Sequence, residues 1–470
     1  MIGNQEDKSQ NQDGIHKPPP GKADAALILG AKPTEENINC IEYEQALELS
    51  GLGKCQGFAN IMGWLMTITN GATGPMLAFV APCAQMTMDL STAQVSTLVG
   101  SLFIGNMIGS ALMGHLADQF GRKKVVAICL GNVLVSLLVV LFLQSFSYVL
   151  LVLSFVMMGL GRGGAMTGYA FVAELVPQRR KGTALMMLGV MWELGVTYES
   201  AGAWLLLGVL GFSWNSLAAF TAIPAALALS ILMFLPESPE WLHSQGDNEK
   251  ALKALGQISR MNSGQNIFEK QASCRSLRSY KSGEKEKVSY KDLLCGDLQF
   301  LTILLCILGI ITHFVYIALI LIVPLYLEST DESLASSNKG YENDPNSCQF
   351  EYGYILASST SGPLFCLVSV YFMDKNRTVP TALGLILSSA FLVVMGTNVS
   401  TIAFAFSSFV AGGANALSAN AFWVIVPRAY PAEVRGTGVA LVYLTCGLAM
   451  YAAPYWVYFA AGGGGGGGGG

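Results

Sequence analysis

The chain has 470 residues, of which 52% are hydrophobic and 12% charged, with a formal net charge of −4 and a mean hydropathy of +0.48. Soluble domains carry roughly 25% charged residues, so this composition excludes an ordinary soluble domain and points to a chain embedded in lipid. The basic residues are scattered through short loops, which excludes a nucleic-acid-binding face.

The first 56 residues are polar, include the string KPPPGK, and read as disordered or loosely tethered, with no apolar signal core. Beyond them, runs of about 20 apolar residues can cross a bilayer as helices. They are predicted near 61–82, 93–117, 125–145, 149–173, 183–208, 215–235, 299–323, 352–373, 378–397, 401–426 and 437–461. The expected organisation is a polar segment (1–56), a six-helix bundle (57–235), a linker loop (236–298), a helical bundle of five spans (299–461) and a glycine tail (462–470).

The loops orient these spans. Arg122, Lys123 and Lys124, Arg179, Arg180 and Lys181, Lys375 and Arg377, and Arg428 and Arg435 all fall on one side. The other side holds Lys339 amid Glu328, Asp331, Glu332, Glu342 and Asp344. Basic loops favour the cytoplasmic face, so the N-terminus is expected in the cytoplasm.

The chain also repeats itself. PQRRKGTA starts at Pro177 and PAEVRGTG at Pro431, an offset of 254 residues (431 − 177). Asp118 with Arg122 finds an echo in Asp374 with Arg377, the aspartates being 256 residues apart (374 − 118). Two unlike motifs recurring at nearly one offset argue for two halves of one design. A matching second half needs a sixth span, so a twelfth is expected and is not seen before the glycine tail.

The string GHLADQFGRKK, Gly114 to Lys124, carries the Gly-x-x-x-Asp-x-x-Gly-Arg-Lys-Lys pattern and resembles the signature loop of the major facilitator superfamily. AELVPQRRKG, LPESPEWL and YPAEVRGTGVA resemble its further loop motifs. SGLGKCQGF resembles the entry to the first span in the synaptic-vesicle-glycoprotein-like, or SVOP-like, branch, which is related to sugar and organic-ion porters. The resemblance covers most of residues 43–461. It implies an all-α membrane fold of two pseudo-symmetric helical bundles and a secondary transporter that alternates access around one central site. Gating residues carried over are Gly114, Asp118, Gly121, Arg122, Glu174 and Arg179 in the first half. Those in the second half are Asp374, Arg377, Glu433 and Arg435. Two features depart from the branch: Asn70 and Thr73 stand where it has an acidic pair, and the second signature is worn to MDKNRT.

Charged groups inside a membrane usually face a cavity or a partner. Arg162 is expected to bind a substrate anion or to pair with a glutamate. Glu193 and Glu199 lie about 9 Å apart along their helix and about 120° apart around it, so they cannot share one partner. Glu193 is expected at mid-membrane depth, with Glu199 at the outer mouth or against Arg162. His313 reads either as a proton-sensing group or as a packing histidine. Asn70, Trp192, Tyr198, Asn415 and Asn420, with Trp64, Tyr316 and Trp423, supply amide and aromatic groups suited to a small-molecule pocket.

Ten cysteines show no regular pairing, although Cys83 and Cys348 share the outer face and leave a bridge open. No zinc-type spacing occurs among four histidines. GLGRGGAMTGYAF lies in an apolar helix with no strand before it, which rules out a dinucleotide loop. No enzymatic motif stands out, and neither a cofactor nor a metal is expected. The expected function is secondary active transport of a small organic solute, an organic ion being one option, with a proton or ion as coupling species. The alternative is a transport-degenerate vesicle receptor, sensor or scaffold. A monomer in the plasma membrane or a vesicle membrane is expected, with the lipid bilayer as its partner and no nucleic acid.

Overall fold

A bilayer leaves no water to satisfy backbone groups, so apolar runs fold as helices that bond internally. The structure, a computed structural model, describes residues 43–143, 147–266, 298–329, 350–372, 378–397, 400–430 and 434–463. Among these residues every regular element is helical. In chain order they are α1 (Tyr43–Leu49), α2 (Lys54–Met88), α3 (Thr92–Phe120), α4 (Arg122–Leu143), α5 (Tyr148–Gly163), α6 (Ala165–Leu175), α7 (Gln178–Ala203), α8 (Ser216–Phe234), α9 (Pro239–Ser244), α10 (Asn248–Ser263), α11 (Gln299–Ser329), α12 (Tyr352–Ser359), α13 (Ser361–Phe372), α14 (Thr378–Met395), α15 (Thr401–Ala429) and α16 (Arg435–Gly463). A π-helical turn, Trp204–Val209, continues α7.

Each predicted span has its helix. The fourth is broken at Gly164 into α5 and α6, and the eighth at Thr360 into α12 and α13. Eight of the described helical spans are both long and apolar enough to cross a membrane. The others turn polar groups inward or are broken: α2 buries Thr67, Thr69, Asn70 and Thr73, and α7 buries Glu193 and Glu199.

The packing repeats as the sequence does. In the first half α2 packs on α7, while α3 and α4 both pack on α5. In the second half α11 packs on α16, while α13 and α14 both pack on α15. First span meets fifth, second meets fourth and third meets fourth in both halves. Between the halves, α3 meets α16 and α7 meets α12 and α13, so the second span of each half faces the fifth of the other. Small residues permit the tightest of these contacts. A Cβ on Gly105 or Gly159 would strike the backbone of the facing helix, α5 or α3.

At the end where the basic loops lie, two of the sequence motifs form one clasp. Arg122 Nη1 pairs with Asp118 Oδ1 at 2.7 Å, and its Nε reaches Glu174 Oε1 at 3.3 Å. The loops after the second and fourth spans therefore meet. The LPESPEWL segment folds back onto them. Glu237 Oε1 accepts from the Lys123 backbone N–H at 2.8 Å, capping α4. Trp241 Nε1 and Gln245 Nε2 donate to the Asp118 carbonyl at the end of α3, at 2.9 and 3.1 Å. Gly121 makes the turn between α3 and α4 at φ +107°, a conformation that favours glycine. Asp374, Arg377 and Glu433, and the side chains of Arg179 and Arg435, lie outside the described residues, as does Cys348. Cys83 is disulfide-bonded, while Cys55, Cys129, Cys306, Cys366 and Cys446 carry thiols outside any disulfide.

The expectation of a loose polar segment through residue 56 is corrected for its last part. α1 buries Ala46 and Leu47 in one cluster with Leu255 and Ile258 of α10. Likewise the linker is not all loop, since α9 and α10 are capped by Ser238 and Asp247. The first span also starts earlier than predicted, because its N-terminal N–H groups are satisfied by side chains. Asn262 Oδ1 accepts from Cys55 N at 3.0 Å, and Gln56 Oε1 accepts from Gly53 N at 3.0 Å. Asn262 Nδ2 donates to the carbonyls of Ser50 and Gly51, at 3.1 and 2.8 Å. One side chain thus ties α1, α2 and α10 together.

Two outcomes follow from these contacts. Asn262→Ala leaves several polar groups without partners and lowers stability by about 1–3 kcal/mol, read as an earlier thermal transition of the detergent-purified protein. Gly121→Ala forces a side chain into the left-handed region, with its Cβ 2.6 Å from Glu237 Oε2. It costs about 1–3 kcal/mol in the same assay.

Candidate functional site

Where the halves meet lies a cavity of about 80 Å³. The first half lines it with Pro75 and Phe79 of α2 and with Glu193 and Ser200 of α7. The second half contributes Tyr316 and Ile320 of α11, Ser358 and Ser359 of α12, Gly362 of α13 and Ser408 of α15. Small-molecule pockets typically hold about 300–1,000 Å³. This cavity is smaller than that.

A polar chain crosses the boundary beside this cavity. Trp192 Nε1 donates to Tyr316 Oη at 2.9 Å, and Tyr316 is in turn hydrogen-bonded to the Glu193 carboxyl. Glu193 packs against Gly362, where a Cβ would collide with its carboxyl. Thr197 Oγ1, one turn along α7, donates to the Ser359 carbonyl at 2.8 Å. The carboxyl on one half is thus held by a phenol and by helix backbone of the other.

Arg162 also packs on Trp192. Its guanidinium carbon lies 4.9 Å from the Trp192 ring centroid and 6.0 Å from that of Phe103. The side chain is only 4% exposed, and Nε and Nη1 have no hydrogen-bond partner. Tyr443, Tyr316 and Tyr169 are its electrostatic neighbours. No described carboxylate pairs with it, so the expected alternative of a glutamate partner is not realised.

The remaining sequence candidates separate. Glu199 is not at a mouth: it is fully buried inside the first half, where Thr221 Oγ1 donates to its Oε2 at 2.9 Å. The 120° between the two glutamates turns one toward the other half and the other toward α8. Tyr198 stacks on Phe220 with ring centroids 4.2 Å apart and donates to the Phe220 carbonyl, so it joins α7 to α8. Asn70 is buried in α2 away from the cavity lining, and Thr73 donates back to its carbonyl. Asn415 donates to the Thr312 carbonyl within the second half. Asn420 is bonded to Cys366 and sits where α7 approaches α15 at Gly189.

His313 has both ring nitrogens engaged. Trp423 Nε1 is a donor only, so His313 Nε2, 3.1 Å away, must accept. The proton is then on Nδ1, which donates to the Gly309 carbonyl at 2.9 Å. This fixes one neutral tautomer, the arrangement of a packing histidine.

The two ends of the interface differ. At the far end, Phe79 of α2 packs edge-on against Phe350 and stacks with Tyr352, with centroids 5.4 and 6.2 Å away. Thr97, Gly100 and Met107 of α3 lie against Tyr455, Tyr451 and Gly447 of α16. Gly114 continues the same face of α3 at the seven-residue spacing, toward the basic loops. A Cβ there would meet no described atom within 4 Å. At the far end the described residues of the two halves are in contact, while Gly114 meets none of them.

Sequence reading named Arg162, Trp192 and Glu193 and placed Tyr316 among the aromatic candidates. It missed Tyr443 and the backbone of Ser359 and Gly362, because one tyrosine or glycine in an apolar run carries no local signal.

Residues 62–454 match the sequence model of the Major Facilitator Superfamily. The chain is 26% identical over 436 residues to the "Synaptic vesicle 2-related protein" of Bos taurus, covering 90% of this chain and 75% of that one. It is 28% identical over 440 residues to "Organic cation/carnitine transporter 7" of Arabidopsis thaliana, covering 85% and 84%. Among solved structures, the inward open conformation of the xylose transporter XylE from E. coli superposes with a TM-score of 0.62 at 18% identity, covering 86% of this chain and 93% of that one. Its partially occluded inward open form gives 0.61, also at 18% identity, covering 87% of this chain and 97% of that one. The two-half helical repeat, the clasp of loop motifs and the cavity between the halves are those of a transporter for small solutes, and the chain belongs to the major facilitator superfamily, alongside the synaptic vesicle 2-related proteins.

Proposed function

We propose that this protein is a secondary active transporter that moves a small organic solute by rocking its two halves, residues 57–235 and 299–461, about the central cavity. The observation that carries this reading is the boundary itself. Cavity walls come from both halves, and the Trp192–Tyr316–Glu193 chain crosses between them. A group bound there touches both moving bodies, so binding can bias their equilibrium.

Glu193 is the coupling carboxyl in this reading. It is 7% exposed, lines the cavity, and faces the Tyr316 hydroxyl. A proton carried on this carboxyl alternates with the Tyr316 hydrogen bond as the halves separate and rejoin. The clasp of Asp118, Arg122 and Glu174 braces the basic end of the first half, so that it moves as one body. The relative named for organic cations and carnitine favours an organic solute, and the named xylose transporters share the fold. We place the N-terminus in the cytoplasm, from the basic loops, and the protein as a monomer in a vesicle or plasma membrane.

The test uses purified protein in proteoliposomes with a pH-sensitive dye inside. A panel of organic anions, cations, zwitterions and sugars is added in turn. At least one solute gives a saturable, solute-dependent pH change in the lumen with the wild type, and Glu193→Gln reduces that change to background while leaving solute exchange across the vesicle. Stabilisation by a solute with no flux of any solute would replace transport by a receptor role.

A further inference from the structure

We propose that Arg162 is the receptor for a carboxylate on the transported solute, so that the solute is a small organic anion. The proposal rests on the transport reading above and adds the charge class of the solute.

A guanidinium withdrawn from water needs hydrogen-bond acceptors and counter-charge, or it destabilises the fold. Arg162 has neither within the described chain. Its Nε and Nη1 are buried without partners, and the ion pairs of the described residues all lie elsewhere, at the basic end or on α10 and its cap. Glu193 makes no ion pair with Arg162 and interacts instead with Tyr316. Glu199 is held by Thr221 inside the first half.

The surroundings of Arg162 are aromatic. Trp192 and Phe103 stack near the guanidinium carbon, and Tyr443, Tyr316 and Tyr169 are close enough to interact with it. Cation–π contact stabilises a guanidinium from above and below its plane. The N–H groups point outward in that plane and are not consumed by stacking. An anion in the plane of the guanidinium therefore completes the site, and carboxylate geometry suits it.

Tyr443 gives the site its second wall. Its hydroxyl accepts from Asn106 Nδ2 at 3.3 Å, which leaves the phenolic hydrogen free to donate to an anion. Arg162 belongs to the first half and Tyr443 to the second. A carboxylate between them bridges the two halves near their centre, beside the end where Gly114 has no contact. An ammonium or quaternary amine would meet like charge at Arg162. A neutral sugar would leave the charge unbalanced.

The experiment measures thermal stability of the detergent-purified full chain and flux in proteoliposomes, with benzoate, nicotinate and lactate each compared with its own amide. Chloride and tetraethylammonium are further arms. At least one carboxylate raises the wild-type melting temperature, its amide does not, and the shift disappears in Arg162→Gln and shrinks in Arg162→Lys. Without any added anion, Arg162→Met melts at or above the wild-type temperature, because an uncompensated charge has been removed. The assignment is overturned if no carboxylate shifts the wild type. It is also overturned if amides or tetraethylammonium act equally, if only chloride acts, or if the shift survives in Arg162→Gln. A large fall in melting temperature in both Arg162→Met and Arg162→Gln marks a structural cation and overturns it too. A carboxylate shift that needs Arg162, without flux, sinks the transport reading and leaves the anion site standing. Flux of cations or sugars with no Arg162-dependent carboxylate effect does the reverse.

Discussion

Arg162 is a buried charge with no carboxylate partner among the described residues, and the centre of the molecule is arranged around that constraint. Aromatic faces stack on the guanidinium while its N–H groups stay unsatisfied. The Glu193 carboxyl, which faces the other half, interacts with Tyr316. A stable protein accepts such an arrangement when function repays the cost. Here the charge and the carboxyl flank one boundary, and that boundary is where the two halves have to move.

The rest of the fold gives that movement rigid bodies. Close glycine contacts bind α3 to α5, and the clasp of Arg122, Glu174, Glu237 and Trp241 binds the loop motifs to one another. Asn262 extends the same bracing to α1 and α10. Between the halves, contacts among the described residues include aromatic packing and the Tyr455–Thr97 hydrogen bond at the far end, and hydrogen bonds from Asn106, Trp192 and Thr197 near the centre. Dense packing inside each half and sparse polar contacts between them suit rocking rather than local deformation.

Much of this was legible in the sequence, for physical reasons. Apolar length gives the spans, because a bilayer admits only internally bonded helices. The offset of the Pro177 and Pro431 motifs gives the twofold plan, which the helix pairing repeats. The angular separation of Glu193 and Glu199 predicted different surroundings, and they have them. The site was less legible. Which way each glutamate turns depends on the packing of α7 between α2, α8 and α13, so Glu199 was wrongly placed at a mouth. His313 could not be assigned to packing until Trp423 was seen to occupy its second nitrogen. Tyr443 lies 281 residues (443 − 162) from Arg162, and nothing local marks such a partner. Asn262 looked like one more polar residue of a linker, because capping a helix more than 200 residues away leaves no trace in composition.

Everything proposed for function depends on the halves changing their spacing at the basic end. The most direct measurement is a spin-label distance in lipid nanodiscs between Gln119→Cys on α3 and Arg428→Cys on α15, both exposed near the basic loops. Rocking predicts two distance populations and a shift in their ratio when a carboxylate is added. A single distance that neither anion nor Arg162→Gln alters would contradict the account.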